Sequence, residues 1–251
     1  MPSPGQAVEE WDELARLDPL WAIVSERRHK FGRWDLESFF ATGEAEVAAL
    51  VERTEGFARP QHRDAVIDVG CGVGRLAPAL CSRFSTYLGV DLSPAMVDRA
   101  RRLHADRDSC TFAVSDDGDL GPAPGDRFDL VLSIHVLQHL PSRPAIMAGL
   151  IELVGLLRPG GLLTVQLPAY IPWAEKAACD TRRWLYLRLR RLGIPEGVAF
   201  RLGLFPMTMS NVPESEVVAL VAAQGARVLG TDRKRVGVAM RDCTYHITTR
   251  P

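Results

Sequence analysis

The sequence contains little lysine, no closely spaced cysteine pair and no long apolar run. Only three of its 30 basic residues are lysines, which we attribute to codon composition and not to a recognition surface. The net charge of −1 over 251 residues provides no global field to attract nucleic acid or an anionic membrane. Without a signal segment or about 18 consecutive apolar residues, we expect a cytoplasmic protein with no stable membrane insertion.

The five cysteines are scattered and odd in number. None of them forms a C-x-x-C pair, so the sequence suggests neither a disulfide framework nor a zinc site. We therefore expect all of them to be reduced thiols: Cys71, Cys81, Cys110, Cys179 and Cys243.

The patterning indicates one domain with four parts. Residues 1–60 show helical periodicity without strand runs, and we expect a helical N-terminal lid. Residues 61–167 alternate short β-branched runs with helical stretches, which is typical of parallel strands joined by crossover helices. Residues 168–212 lack this alternation of strand and helix patterns, so we expect a helical cap insert there. For residues 213–251 we expect a helix and a strand hairpin.

The expected fold class is α/β. We predict a seven-stranded, mostly parallel sheet in which the last strand inserts antiparallel. The predicted strands are 65–69, 87–90, 110–114, 128–133, 161–166, 226–231 and 244–249, and the predicted helices after the lid are 74–82, 94–104, 143–157 and 213–224.

The stretch "VIDVGCGVGR" places three glycines between the first predicted strand and the following helix. Glycines there let the backbone approach a ligand, and the helix start offers free N–H groups. The dinucleotide fingerprint needs a glycine at its sixth place, and here that place is Arg75. The spacing therefore argues against a nicotinamide cofactor.

This stretch resembles the first motif of class I S-adenosylmethionine-dependent methyltransferases. "YLGVDLSPAM", "CTFAVSDDGDL", "FDLVLSIHVLQHLP" and "LLRPGGLLTVQLP" match the family's later segments in order and spacing. The resemblance implies a Rossmann-like fold and S-adenosylmethionine as cofactor. The cofactor-binding residues it implies are Asp68, Gly70, Cys71, Gly72, Gly74, Asp91, Leu92, Asp116, Asp117, Ser133 and Ile134.

The resemblance also implies separate roles for the acidic residues. Asp91 would accept the ribose hydroxyls, and Asp116 or Asp117 would bind the adenine amino group, with Asp119 a competitor for that task. Asp68 would border the cofactor's amino group, or would only cap backbone groups near the turn. Cys71 is expected to fill a small space and not to act as a nucleophile.

His135 and His139 follow the fourth strand, at the sheet edge where such folds hold ligands. A histidine suits removal of a proton from a hydroxyl acceptor, so both are candidate bases, with His139 preferred. The alternative is that one of them is a structural anchor. No carboxylate cluster follows this strand, so no metal is predicted.

The cap contains "TRRWLYLRLRRLG". We expect this helix to dock through Leu185, Leu189 and Leu192; the alternatives are a basic surface for a phosphate-bearing or lipid-linked acceptor, or a membrane-surface helix. The aromatic residues Trp34, Tyr170 and Trp173 are candidate contacts for a sugar or an apolar acceptor.

The predicted reaction is methyl transfer from S-adenosylmethionine to a hydroxyl of a small molecule, with a sugar, glycoside or other secondary metabolite favoured. An N- or C-acceptor fits the cofactor motifs equally well. A nicotinamide-dependent oxidoreductase and a non-catalytic cofactor-binding protein are the alternatives from other classes. The expected partner is a small-molecule acceptor and not nucleic acid, and the sequence leaves a homo-oligomer open.

Overall fold

A computed structural model describes residues 4–115, 127–237 and 239–249. Its centre is a seven-stranded sheet in the order β3-β2-β1-β4-β5-β7-β6. The first five strands pair in parallel, and β7 runs antiparallel between β5 and β6, as predicted. The strands are β1 (Ala65–Val69), β2 (Thr86–Asp91), β3 (Cys110–Val114), β4 (Phe128–Ser133), β5 (Leu157–Tyr170), β6 (Ala226–Val236) and β7 (Met240–Thr249).

The last three strands are longer than predicted. The fifth strand was predicted to begin at 161, but β5 already includes the Pro-Gly-Gly segment at 159–161, because Leu157 pairs with Phe128 and a register shift absorbs the irregularity. The charged segment after 231 was expected to be a loop. It instead extends β6, where charged side chains suit an exposed edge strand.

Helices cover both faces of the sheet. Helix α4 begins three residues later than predicted, because residues 71–76 form turns below the glycine segment. A short 3-10 helix at Arg27–His29 lies between the second and third α-helices. The helices are α1 (Pro4–Leu17), α2 (Pro19–Ile23), α3 (Leu36–Glu55), α4 (Ala77–Cys81), α5 (Pro94–Leu103), α6 (Arg143–Gly155), α7 (Trp173–Arg191), α8 (Glu196–Arg201) and α9 (Glu214–Ala223).

Apolar side chains bury the two sheet faces separately. One cluster packs α6 and α9 on the sheet through residues such as Ile146 and Val217, and a second packs α3, α4 and α5 through residues such as Val97. A third cluster joins α1, α2 and the residues up to α3 to the cap of α7 and α8. We call this N-terminal part the lid; it is shorter than the predicted residues 1–60, because α3 packs on the sheet. The third cluster includes Trp21 of α2 and Phe200 of α8.

The lid and the cap are also joined by ion pairs. Glu13 of α1 accepts hydrogen bonds from Tyr186 and from Arg190, the latter at 2.9 Å. Arg183 pairs with Glu10 of α1 at 2.5 Å. Two of the arginines in the predicted basic surface of α7 therefore hold the lid.

The docking face of α7 differs from the one predicted. Its buried side chains are Cys179 and Tyr186, whereas Leu192 is 71% exposed. The helix is therefore held by polar contacts with α1 and by these two residues, while Leu185 and Leu189 are only half-buried.

The expectation of five reduced thiols is wrong for one pair. Cys81 at the end of α4 and Cys110 at the start of β3 form a disulfide, with Cα atoms 6.2 Å apart. The separation of 29 positions concealed this pair in the sequence, because the crossover through β2 and α5 returns the chain to the same edge. In a separate finding, no described helix is long and apolar enough to cross a membrane.

Candidate active site

A cavity of about 1140 Å³ lies at the carboxyl ends of the parallel strands, bounded by the lid and the cap. Its floor is formed by residues that directly follow β1, β2, β3 and β4, among them Gly70, Leu92, Ser115 and Ile134. Ligand pockets in proteins commonly measure about 300–1,000 Å³. The cavity is therefore large enough for two small molecules in contact.

The glycine turn after β1 forms one wall of the cavity. Gly70 and Gly72 have φ values of +77° and +55°, a region that residues with a Cβ rarely adopt. A Cβ on Gly72 would lie 2.5 Å from Cδ1 of Ile23, so the end of α2 rests directly on the turn. The lid is thus in contact with the part of the backbone that must approach a ligand.

Asp91 lies on the cavity at the end of β2. The N–H of Gly72 donates to its Oδ2 at 2.8 Å, and the N–H of Ser93 donates to its Oδ1 at 2.9 Å. Each oxygen retains a further lone pair, so the carboxylate can accept two more hydrogen bonds, one on each oxygen. Burial raises the pKa of Asp91, and the two backbone donors oppose that shift.

Two histidines that follow β4 also line the cavity. Nδ1 of His139 lies 2.7 Å from the carbonyl oxygen of Thr208, and a carbonyl only accepts, so Nδ1 carries the proton. Burial lowers the pKa of His139 to about 4. Its ring is therefore neutral at pH 7, with a lone pair on Nε2.

His135 has a φ of +62° and faces a different set of groups. Burial lowers its pKa, opposed by Glu46 and Asp242 and reinforced by Arg75 and Lys234. The structure therefore brings both predicted histidines to the cavity, close enough for His135 to contribute to the lowered pKa of His139.

Residues 67–165 match a protein-family model described as "Methyltransferase domain". The chain carries a class I S-adenosylmethionine-dependent methyltransferase domain. The fold is similar to that of the magnesium protoporphyrin IX methyltransferase of Synechocystis PCC 6803, solved with bound S-adenosylhomocysteine, with a TM-score of 0.62 over 98% of this chain and 99% of that chain at 19% identity.

Two curated methyltransferases illustrate the sequence similarity. The 27-O-demethylrifamycin SV methyltransferase of Amycolatopsis mediterranei is 32% identical over 72% of this chain and 65% of its own length. A trans-aconitate 2-methyltransferase of Deinococcus radiodurans is 41% identical over 41% of this chain and 38% of its own length. The chain thus spans less than two thirds of the length of either relative.

The cofactor of the methyltransferase domain is S-adenosylmethionine, and the cavity residues fit it. Asp91 presents two acceptor oxygens suited to a vicinal diol, and Gly70 and Gly72 bring backbone without a side chain to the cavity wall, at positions where Val136 and Ile23 leave no room for a Cβ. Leu92 and Ile134 line the same end of the cavity. When bound, the cofactor supplies a methyl group on a positively charged sulfur.

Four of the predicted cofactor residues lie behind the cavity wall and not on it. Gly74 packs closely against His104 and Phe112, and Cys71 is a buried free thiol. Ser133 is fully buried, and its Oγ has no hydrogen-bond partner among the described residues. These three residues therefore pack beneath the wall of the methyltransferase site.

Asp68 is the fourth of these residues. It accepts a hydrogen bond from the hydroxyl of Tyr87 at 3.1 Å and is 3% exposed. Burial raises its pKa to about 7, opposed by the hydrogen bond from Tyr87 and by Arg75. Its contacts support the structural alternative for this residue, and the predicted adenine contacts Asp116 and Asp117 lie outside the described residues.

The three aromatic residues predicted to contact an acceptor are not on the cavity. Trp34 is buried in the lid, where its Nε1 donates to Val24 O at 3.1 Å and its ring stacks on His29. Tyr170 stacks with Arg241, and Trp173 is 82% exposed. None of the three lines the cavity, so their contact with an acceptor remains a prediction that the cavity does not support.

The aromatic side chains on the cavity come from other positions, which sequence reasoning missed. Trp11 contacts His139 edge-on at 5.3 Å between ring centroids, and Trp21, Phe31 and Phe205 line the lid and cap sides. Trp11 and Trp21 did belong to the helical periodicity of the lid, but periodicity indicates a buried face without indicating a ligand.

Proposed function

We propose that the chain transfers a methyl group from S-adenosylmethionine to an oxygen of a small molecule, and that this oxygen belongs to a hydroxyl group. The observation that carries the proposal is a single cavity with the diol-accepting carboxylate of Asp91 on one wall and the neutral imidazole of His139 on another. Methyl transfer needs acceptor and cofactor in contact, and this cavity has room for both.

His139 is the proposed proton acceptor. The Thr208 carbonyl fixes its tautomer, and the amide nitrogen of Gln138 donates to the unprotonated Nε2 at 3.4 Å, a long contact that the acceptor's hydroxyl would have to replace. A base with such a low pKa does not ionise a hydroxyl in advance. It orients the hydroxyl and takes the proton as the new oxygen–carbon bond forms, because the oxygen then becomes strongly acidic.

His135 is assigned a lesser role. Its surroundings contain both acids and bases from α3, β6 and β7, so no single partner fixes its tautomer. We propose that it lines the acceptor site and does not take the proton. This keeps the preference for His139 that the sequence suggested.

The lid and cap exclude water from the reacting groups. Ile23 covers the glycine turn, Trp11 covers the edge of His139, and α1 is tied to α7 by ion pairs. Water exclusion strengthens the electrostatic interactions on which an in-line transfer depends.

Two relatives support an oxygen acceptor by their names, one acting on a demethylrifamycin and one described as a ubiquinone biosynthesis O-methyltransferase from Thiobacillus denitrificans. A sugar acceptor has no such support, because the aromatic faces predicted to bind a sugar lie away from the cavity. We therefore do not extend the proposal to sugars.

Calorimetry tests the cofactor and isotope labelling tests the reaction. The full chain should bind S-adenosylhomocysteine and show no comparable binding of NAD. Incubating it with cell extract and S-adenosylmethionine labelled in the methyl group should yield a labelled small molecule bearing an O-methyl group. A labelled methyl on nitrogen or carbon would refute the choice of acceptor atom.

A matched pair of variants tests the role of His139. His139→Ala should lower the labelling rate by about 10²–10⁴-fold without changing S-adenosylhomocysteine affinity, as expected for a lost base. His62→Ala removes an exposed histidine outside the cavity and should leave both unchanged. Equal rates for the two variants would refute the assignment.

A further inference from the structure

Four basic residues line the cavity where the lid meets the cap. Lys30 and Arg182 are partly buried there, and Arg27 and Arg201 are more exposed at its rim. We call these four residues the cation cluster. They come from the 3-10 helix and the residue that follows it, from α7 and from α8, so folding brings them together from three separate segments.

The cation cluster lacks acidic partners. Among the residues that the structure describes, no carboxylate lies within 4.0 Å of any of the four charged groups. The neighbouring Arg183 and Arg190, which do not line the cavity, each pair with a glutamate of α1. The basic residues that line the cavity at this junction therefore differ from these two neighbours in having no ion-pair partner among the described residues.

Lys30 lies among aromatic rings. Its Nζ is 4.2 Å from the ring centre of Phe200, 4.7 Å from that of Trp21 and about 5 Å from those of two further phenylalanines. Nζ also donates to the backbone oxygen of Phe200 at 3.3 Å. An ammonium has three donors, so two remain for a ligand.

Arg182 approaches the same group of rings. Its Cζ lies 4.8 Å from the ring centre of Phe205, which is 5.2 Å from Nζ of Lys30. The pKa of Lys30 is lowered by burial and by Arg182, and raised by Asp18. Asp18 offsets part of this positive charge from a distance but forms no ion pair with Lys30, and its oxygens accept hydrogen bonds from the backbone N–H groups of Trp21, Phe31 and Gly32.

Lys30 and Arg182 lie apart from His139 along the side of the cavity that the cap forms. Cys179 of α7 contacts the carbonyl of Met207, and Arg183 contacts that of Pro206, so α7 runs against this segment in the opposite direction. His139 is bound to the next carbonyl, that of Thr208. Lys176 contacts the carbonyl of Met209, so Thr208 lies opposite the part of α7 between Lys176 and Cys179, and Arg182 lies about 5–9 Å further along the helix.

We infer that the cation cluster binds a carboxylate or phosphate group of the acceptor, while its reacting hydroxyl lies at His139. The rings around Lys30 and Arg182 provide an apolar surface for the part of the acceptor next to that anion. This inference rests on the proposed function and extends it, because it makes the acceptor an anionic, partly apolar molecule.

Fluorine NMR titration tests the inference with the full chain saturated with S-adenosylhomocysteine. The probes are 4-fluorobenzoate and 4-fluorophenyl phosphate, with 4-fluorobenzyl alcohol as the neutral counterpart. At least one anion should bind at least tenfold more tightly than the alcohol. Lys30→Gln and Arg182→Gln should each weaken anion binding about tenfold or more, since each removes a charge-assisted contact.

Arg191→Gln is the matched control. It removes an exposed charge from the same helix at a site away from the cavity and should leave anion binding unchanged. Thermal melts and S-adenosylhomocysteine affinity show whether each variant is folded. Equal binding of anion and alcohol, or equal weakening by all three variants, would overturn the inference.

The charge of the labelled product is a second, independent test of whether the acceptor is anionic, and it applies even when the small probes bind too weakly to compare. At pH 7, an O-methylated product that retains its anion should be held by an anion exchanger. A labelled product that passes through uncharged would overturn the inference while leaving the proposed function intact. Failure to bind S-adenosylhomocysteine would instead refute the proposed function.

Discussion

The buried state of His139 predicts a specific pH dependence of stability. Its pKa is lowered from an unfolded value of about 6.5 to about 4 because burial disfavours the charged ring. Between these two values the unfolded chain binds more protons than the folded one, so stability falls as the pH falls. The loss of unfolding free energy caused by His139 is negligible above pH 7 and reaches its full size below pH 4.

The expected magnitude follows from the two pKa values. Lowering the pH from 7.5 to 5.0 should cost about 2 kcal/mol of unfolding free energy through His139 alone. His139→Gln removes this titration and retains a side chain able to donate to the Thr208 carbonyl. The difference in unfolding free energy between the parent and this variant should therefore change by about 2 kcal/mol over the interval, in favour of the variant at the lower pH.

Urea unfolding at the two pH values measures this difference. The three other histidines with lowered pKa values, His104, His135 and His246, titrate in both proteins and largely cancel in the comparison. An NMR titration of the His139 ring in the folded protein gives the pKa directly. A difference that stays constant within about 0.5 kcal/mol, or a ring that titrates near 6.5, would refute the reasoning and show that burial does not hold the His139 ring neutral at pH 5.

Three further predictions concern the cofactor wall and the lid. Asp91→Ala should weaken S-adenosylhomocysteine binding by about 1.5–3 kcal/mol in calorimetry, because hydrogen bonds to a charged acceptor are lost. Gly72→Ala should lower the unfolding free energy by about 1–2 kcal/mol and also weaken cofactor binding, since the new Cβ meets Ile23 at 2.5 Å. Glu13→Gln should lower the unfolding free energy by about 1.5–3 kcal/mol, because its charge-assisted contact with Arg190 is weakened.

Each of these variants has a control on the same or a similar element. Asp98→Ala removes an exposed carboxylate from α5 and should leave cofactor affinity unchanged. Gly225→Ala imposes the same backbone strain at a φ of +71° with no atom within 4 Å of the new Cβ, so only stability should fall. Glu9→Gln changes an exposed residue of α1. A test variant that behaves like its control would contradict the corresponding contact.

The parts of the fold that the sequence predicted well are those with a strong local pattern. The strands β3 and β4 have the predicted bounds, because each is a compact apolar run between polar residues. The extensions of β5 and β6 were not predictable in this way. Pairing with β4 extends β5 over a Pro-Gly-Gly segment, and pairing with β7 extends β6 over a charged segment. Neither extension could be predicted from the local residue composition.

In the candidate site, too, local motifs were predicted well and contacts between distant segments were not. Gly72 and Asp91 are bonded to one another across only 19 positions, within one strand–helix–strand unit, so a short motif identified both. Asp68 belongs to the same motif but faces Tyr87 beneath the wall, since a motif gives the position of a side chain and not its direction. The disulfide between Cys81 and Cys110 was missed because spacing alone does not show that two segments share a sheet edge.

The acceptor end of the cavity has a different origin from the cofactor end. Lys30 and Phe200, which are in direct contact, lie 170 positions apart. Arg182 comes from the cap, and the whole cation cluster lies outside residues 67–165, the part that matches the methyltransferase model. Substitutions in the lid and cap can therefore change the charge and shape presented to the acceptor while Gly72 and Asp91 stay in place. This separation explains why a sequence motif names the cofactor, whereas the acceptor class has to be inferred from contacts between distant segments.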